Sequence, residues 1–499
     1  MNRVTIASFF LALTLPLTGG AQSAPSSPQK SPAPAQSPSA KPVIPPSWEQ
    51  ISIRPLHPFK PQQPRRVVLP NGLVIFLQED HELPLINGTI RIRGGSRDEP
   101  AEKAGLVDLY GGAWRTGGTT SKTGDQLDDF LESRAARVET LGRADSTVIG
   151  WSSLKDDFDP VFAVVLDLLQ HPEFRQEKID LSKKQLAAAI SRRNDEPDDI
   201  SERESTKLAL GADNPLARTP EFYTMSAVTR DDLLRWHQRT MAPKNIMVGV
   251  VGDFDSAVME QKLSQAFGSL PGGAPFPQTK LEFRPAAPGI YLVGKEDVDQ
   301  TQITMVDLGI LRNNPDYYAV EVLNELFGGG FASRLVSSIR TKQGLAYSVG
   351  GGVGTAFDHP GVTRIAMGTK SETTLQAITA LNQEIDKLLK NGVSAQEVKK
   401  GKDDILNSFI FEFDSKEKVL AERMRYEFYG YPADFLEQFR AGIEKVTPAD
   451  VERVARKYLR PEKLAVLVVG NSKDFEGDLS KLGKVTPVDI SIPEKPPGK

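Results

Sequence analysis

Val228-Thr229, Leu233-Leu234 and Pro243 lead into Ile246-Met247-Val248-Gly249-Val250-Val251-Gly252, a polar helical start, a proline and an apolar strand closed by glycine. The same phrase returns as Val446-Thr447, Val451, Val454 and Pro461, then Leu464-Ala465-Val466-Leu467-Val468-Val469-Gly470. Thr229 and Thr447, Pro243 and Pro461, and Gly252 and Gly470 are each 218 positions apart. One helix–strand match is ordinary. Three anchors at one offset predict two copies of a domain of roughly 200 residues.

The length agrees, because 499 residues are more than one hydrophobic core usually serves. Basic and acidic residues number 61 and 65, a balance that gives no reason to expect nucleic acid or another polyanion as partner. The chain has no cysteine, which excludes disulfides, thiol nucleophiles and cysteine-ligated metals.

Working outward, the ends read differently from the middle. Arg3 precedes a mostly apolar run over residues 4–17, and Ala21-Gln22-Ser23 offers small residues at a cleavage site. This pattern predicts a signal peptide over 1–23 and an exported protein, periplasmic or secreted. The apolar run is short for a membrane span, so no membrane insertion is expected after cleavage; an uncleaved anchor is the alternative. Residues 24–64 are rich in Pro, Ser and Ala and predict a disordered tether and lead-in. A first domain is expected over 65–273, a linker rich in proline over 274–288, a second domain over 289–486 and a polar tail over 487–499.

Within the first copy, Pro70-Asn71-Gly72 sits between apolar runs as a hairpin turn, and residues 86–92 alternate as a strand. Residues 101–110 have helical character that Gly111-Gly112 is expected to interrupt. Phe158, Phe162, Val165, Leu166 and Leu169 share one helical stripe, and a charged helix is expected over 176–193. The second copy replays the order, with strands at 290–293 and 303–308 and helices at 317–327 and 375–389, the last stopped by Gly392. Strands and helices mix without a regular βα beat. The predicted fold class is α+β, two similar domains each made of a sheet with helices on one face.

Several motifs carry a resemblance: Pro70-Asn71-Gly72-Leu73, Lys103-Ala104-Gly105-Leu106, Gly328-Gly329-Gly330, Ser333-Arg334-Leu335 and Gly344-Leu345-Ala346-Tyr347-Ser348-Val349. Together they resemble the pitrilysin or insulinase-like metallopeptidases of family M16, in particular short-chain members related to mitochondrial processing peptidase subunits. The resemblance spans residues 65–475. It implies paired α+β domains, with two such chains, or one doubled chain, closing into a clamshell around a peptide chamber.

Active members of that family place His-x-x-Glu-His on the first helix. Two imidazoles hold zinc, a carboxylate between them takes a proton from bound water, and a distal glutamate completes the metal's protein ligands. By the resemblance, the first histidine position is Asp108, the general-base position Gly111 and the second histidine position Gly112. The distal glutamate pair falls on Ala188 and Ala189, with Ala189 at the ligand position. Glycine and alanine neither ligate nor move a proton. No metal is therefore expected in this chain, and its zinc site reads as degenerate.

The second copy departs less. Arg340 and Tyr347 match the family's substrate-holding arginine and tyrosine, a guanidinium and a phenol that suit a carbonyl or developing oxyanion. Read as structure alone, Arg340 is a salt-bridge residue and Tyr347 a half-buried strand residue. Gly328, Gly329 and Gly330 are a possible peptide loop or a helix termination with close packing; no phosphate-loop ending follows them. Asp253, beside Gly252, reads as a turn former. The implied function is a non-catalytic subunit of an exported heterodimeric M16-type zinc peptidase, supplying Arg340 and Tyr347 in trans. Zinc would belong to an active partner with an intact His-x-x-Glu-His, and the ligand would be a peptide or unfolded protein segment. The alternative is a stand-alone peptide-binding or scaffold protein on the same inactive fold.

Overall fold

Each copy of the repeat builds one six-stranded sheet in this computed structural model, which describes residues 61–494. The signal peptide read at 1–23 and the tether up to residue 60 lie outside the described residues. The first sheet contains β1 (Arg65–Val68), β2 (Val74–Glu79), β3 (Leu85–Arg93), β4 (Arg137–Gly142), β5 (Ser146–Leu154) and β6 (Ile246–Gly252). Their order is β1-β2-β6-β3-β5-β4, with β2 and β6 parallel and the other neighbours antiparallel. The β1–β2 turn is set by Gly72 at φ +91° and by the Asn71 side-chain carbonyl, which accepts the Leu73 amide.

Helices α1 (Leu106–Thr116), α2 (Gly124–Glu132), α3 (Phe158–Gln170), α4 (Gln176–Arg192), α5 (Pro197–Leu210), α6 (Phe222–Ser226), α7 (Arg230–Thr240) and α8 (Ser256–Gly268) complete the first copy. Period-2 residues Ile90, Ile92, Val248 and Val250 meet Tyr110, Trp114, Val165, Leu168 and Phe267 from the helices in one buried core. Helix α1 runs straight through Gly111 and Gly112, where the sequence predicted a break. Two glycines cost a helix roughly 2 kcal/mol against alanine. Burial of Leu109, Tyr110, Ala113 and Trp114 on α1 outweighs that cost.

The second sheet contains β7 (Gly289–Gly294), β8 (Gln300–Leu308), β10 (Ser348–Gly352), β12 (Val362–Lys370), β13 (Ala465–Gly470) and β14 (Val485–Pro487); β9 (Ile310–Leu311) and β11 (Thr355–Ala356) form a separate parallel pair. Its helices are α9 (Tyr317–Asn324), α10 (Thr374–Asn391), α11 (Ala395–Ser408), α12 (Lys416–Tyr429), α13 (Phe435–Lys445) and α14 (Pro448–Tyr458). The sheet order is β10-β12-β8-β13-β7-β14. Read from the β7 side, β7, β13, β8, β12 and β10 occupy the places of β2, β6, β3, β5 and β4 with the same relative directions. Only the sixth strand differs, β14 being parallel to β7 where β1 is antiparallel to β2.

The sequence anchors fall on equivalent structure. Thr229 and Thr447 are N-caps of α7 and α14, each in a reciprocal capping box with an aspartate three residues on, Asp232 and Asp450. Pro243 and Pro461 each open one turn of 3-10 helix before the closing strand.

One further pairing joins the copies. Helices α5 and α12 are equivalents 219 positions apart, and each crosses to the other sheet. Ile200 of α5 packs on Val293, Leu467 and Val469, on the face of the second sheet turned away from its own core. Leu420, Met424 and Phe428 of α12 pack on Phe76, Met247 and Val251 of the first sheet. Gly249 makes that approach possible, since a side chain there would overlap the Met424 sulfur. All described residues belong to one compact unit. Residues 271–288 carry no helix or strand, and beyond β14 Val488 and Ile490 pack beside Ile200.

Candidate functional site

Helix α1 is fixed at its start and along its inner face. Gly105, at φ +98°, turns the chain into the helix. Buried Glu99 then accepts the Gly105 and Val107 amides, both at 2.9 Å, satisfying N–H groups that the first turn leaves free. Burial pushes the Glu99 carboxyl up to about 7; the two amide bonds oppose the shift and nearby Asp108 adds to it. On the inner face, the Tyr110 hydroxyl lies 2.9 Å from His237 Nδ1, and His237 Nε2 lies 2.9 Å from the Leu169 carbonyl oxygen. That carbonyl can only accept, so the neutral ring donates from Nε2 and receives the tyrosine proton at Nδ1. Burial lowers the imidazole to about 4.

The outer face of α1 carries the positions matched to a zinc motif. Asp108 and Gly112 are exposed one turn apart. Asp108 has no hydrogen bond or ion pair among the described residues, and the protein atoms around it desolvate its carboxyl enough to raise it above the usual carboxylate range. A Cβ at Gly112 would make ordinary contact with Ser182 Oγ of α4, at 3.4 Å. Ala188 and Ala189 are exposed on α4. Gly111, in contrast, is buried, and a Cβ there would overlap the amide nitrogen of Gly142 on β4 and lie 3.0 Å from the Leu141 carbonyl carbon.

These residues do not fit zinc. One carboxylate, two glycines and two alanines stand where an imidazole pair, a base and a glutamate are required. Among the described histidines, only His237 bonds to α1, and it does so from the core. His81 instead lies against Asp253 at 2.6 Å, which also holds Lys155 at 2.9 Å; Asp253 is thus an ion-pair centre as well as a turn residue. Among the described residues no group of three or more His, Cys, Asp or Glu is placed to hold a metal ion.

The second copy presents different chemistry. Arg340 lies in a π-helical stretch, Val336–Lys342, whose wide turns are marked by Ser338 accepting the Gln343 amide at 3.1 Å. Its guanidinium is exposed, has no ion pair among the described residues and sits 6.0 Å from the centre of the Tyr347 ring. Tyr347 itself is 86% exposed, immediately before β10. Neither a salt-bridged arginine nor a half-buried strand tyrosine describes this pair.

Gly328 and Gly329 close a second π-helical stretch, Glu325–Gly329, and Gly330 follows it. A Cβ at Gly328 would overlap the Gly351 backbone of β10, so this glycine serves close packing, while Gly329 is exposed. Phe331, just beyond, is 85% exposed. Sequence reasoning assigned no role to Phe331 or Glu99. An aromatic side chain set directly after three glycines was the available signal for Phe331.

Comparison with known proteins places this geometry. Residues 74–219 match the model described as insulinase (peptidase family M16), and residues 227–404 match the model described as peptidase M16 inactive domain. An uncharacterized zinc protease of Streptomyces coelicolor, SCO5738, is 24% identical over 82% of this chain and 90% of its own length. A non-peptidase homolog of Helicobacter pylori, YmxG, is 23% identical over 80% of this chain and 92% of its own. Among solved structures, a peptidase M16 inactive domain from Pseudomonas fluorescens superposes with a TM-score of 0.73 at 24% identity, covering 82% of this chain and 98% of that one. The periplasmic protease PqqL of Escherichia coli gives 0.69 at 17% identity over 82% of this chain and 45% of its own. The relatives include proteins named as proteases and one named as a non-peptidase, so the residues at α1 decide between them.

Proposed function

The chain belongs to peptidase family M16, with an inactive-type domain over 227–404, and from that premise we propose that it is a non-catalytic homologue, the substrate-holding subunit of a two-chain zinc peptidase. The observation that carries this reading is the state of Arg340 and Tyr347, adjacent, solvent-facing and, for the guanidinium, without a counter-ion among the described residues. A structural arginine is normally paired, and a structural tyrosine normally buries its ring. Bare, the two offer N–H and O–H donors to a peptide carbonyl or to the oxyanion it becomes. Phe331 supplies an apolar surface on the same copy for a peptide side chain.

In this reading the catalytic metal belongs to a partner chain with an intact His-x-x-Glu-His. This chain orients the peptide. The pair acts in the bacterial envelope, a placement supported by the leader-like residues 1–23 and by the stated periplasmic setting of PqqL. The bare pair also suits a peptide-binding scaffold with no peptidase partner. Co-purification from the envelope, followed by peptidase assay of the chain, the partner and the pair, distinguishes them. The expected result is a stable pair that cleaves an unfolded peptide faster than the partner alone, with no hydrolysis by this chain. A partner whose turnover is the same with or without this chain favours the scaffold.

A further inference from the structure

Gly111 and Gly112 are neighbours in one helix, yet their surroundings are opposite. At Gly112 a side chain would point to open surface with only Ser182 in reach. At Gly111 it would run into β4 backbone, and at Gly142 a side chain would in turn overlap the Val107 carbonyl of α1. The two glycines therefore let helix and strand backbones meet directly.

Thr140 of β4 fastens the contact. Its hydroxyl donates to the Gly111 carbonyl at 2.7 Å and accepts the Arg115 amide at 3.2 Å. Those two groups are an i, i+4 pair, partners in an uninterrupted helix. The threonine hydroxyl bridges them at the turn where the family's general base would stand.

We infer that α1 is not a vacated metal site but a closed helix–strand joint, in which β4 backbone occupies the space a general base would need. The ligand positions 108 and 112 remain open surface. Position 111 does not, so replacing side chains cannot return this helix to hydrolytic use. The joint is independent of any partner and of the role of Arg340 and Tyr347.

Alanine at adjacent positions tests it on the full chain. Helix propensity alone favours Gly→Ala at either site and would raise Tm at both. The joint predicts opposite signs: Gly112→Ala holds or raises Tm, whereas Gly111→Ala lowers it by roughly 1–4 °C. Thr140→Val also lowers Tm, and its loss is less than additive with that of Gly111→Ala because both act on one contact. A metal arm compares D108H/G112H/A189E with D108H/G111E/G112H/A189E, reading Tm and, with zinc added, hydrolysis of an unfolded peptide. The expected result is that adding G111E lowers Tm and that neither variant hydrolyses the peptide. Equal Tm gains from Gly111→Ala and Gly112→Ala, or a four-substitution variant that keeps the Tm of the three-substitution one and hydrolyses the peptide, would overturn the inference.

Discussion

The α1–β4 joint of the first copy and the Gly328–β10 joint of the second occupy equivalent places, at the same edge of their sheets, and both are made by glycines. They are fastened differently. In the first, strand residue Thr140 reaches into the helix backbone. In the second, helix residue Asn324 reaches the strand end, donating to the Val353 carbonyl at 2.9 Å and accepting its amide at 2.8 Å. The difference in what they display is larger. Beside the second joint stand Arg340, Tyr347 and Phe331, all solvent-facing; the first shows only Asp108 and a bare Gly112. The first copy packs helix backbone on strand backbone at this place, while the second leaves the N–H and O–H donors of Arg340 and Tyr347 facing solvent.

The largest expected effect comes from separating the copies. Because α5 and α12 each cover the other's sheet, cutting the chain near residue 278 should leave neither piece folded, while mixing them restores the fold. Near-ultraviolet circular dichroism of each fragment and of the mixture measures this. A fragment that melts cooperatively by itself would mean that the exchange of helices is not what binds the copies together.

Next in size is the contrast between the joints. A Cβ at Gly142 would overlap the Val107 carbonyl oxygen of α1, whereas one at Gly350 would meet only the Gly328 carbonyl oxygen, at 2.8 Å. Gly142→Ala should cost roughly 2–3 kcal/mol and Gly350→Ala roughly 1–2 kcal/mol in urea unfolding. The reverse order would place the tighter joint in the second copy.

The anchor beneath α1 gives a pH dependence. His237 is neutral in the fold, lowered by burial to about 4 from the ordinary 6.5. A lowered histidine favours the folded state above the unfolded pKa, and that contribution is lost as pH falls from about 6.5 through about 4, amounting to roughly 3 kcal/mol. Glu99 runs the other way: its raised carboxyl favours the fold below about 4.5 and loses that contribution as pH rises through about 7. Replacing His237 with Gln should therefore flatten the fall in Tm on the acid side of neutrality. Parallel curves for the variant and the wild type would remove His237 from the account of acid stability.

The smallest effect is on stability at Tyr347. Its exposure predicts that Tyr347→Phe changes unfolding free energy by less than about 0.5 kcal/mol. A larger loss would make it a structural tyrosine after all.

What the sequence made legible was local or absolute. Thr229 and Thr447 announce helix starts because a capping box needs only four consecutive residues, and β6 and β13 announce themselves as apolar runs closed by glycine. The absence of ligand and base side chains was legible at Gly111, Gly112 and Ala189 because a side chain that does not exist cannot be restored by folding. The continuity of α1 was not legible, since local propensity argues against two glycines and the compensating burial comes from residues far along the chain. For the same reason the crossing of α5 and α12 left no local mark: Ile200 and Leu420 are ordinary apolar helix residues until the opposite sheet is in place. The free state of Arg340 depends likewise on which carboxylates the fold brings near it.

The central claim is that this chain contributes donors, not a metal, to a shared reaction. Tyr347→Phe removes one hydroxyl and keeps the ring, so turnover by a complex of this variant with a zinc-bearing partner isolates the donor, with assembly verified by mass. The complex is expected to form normally, with kcat lowered by roughly ten- to a thousandfold. Wild-type turnover from a fully assembled Tyr347→Phe complex would contradict it.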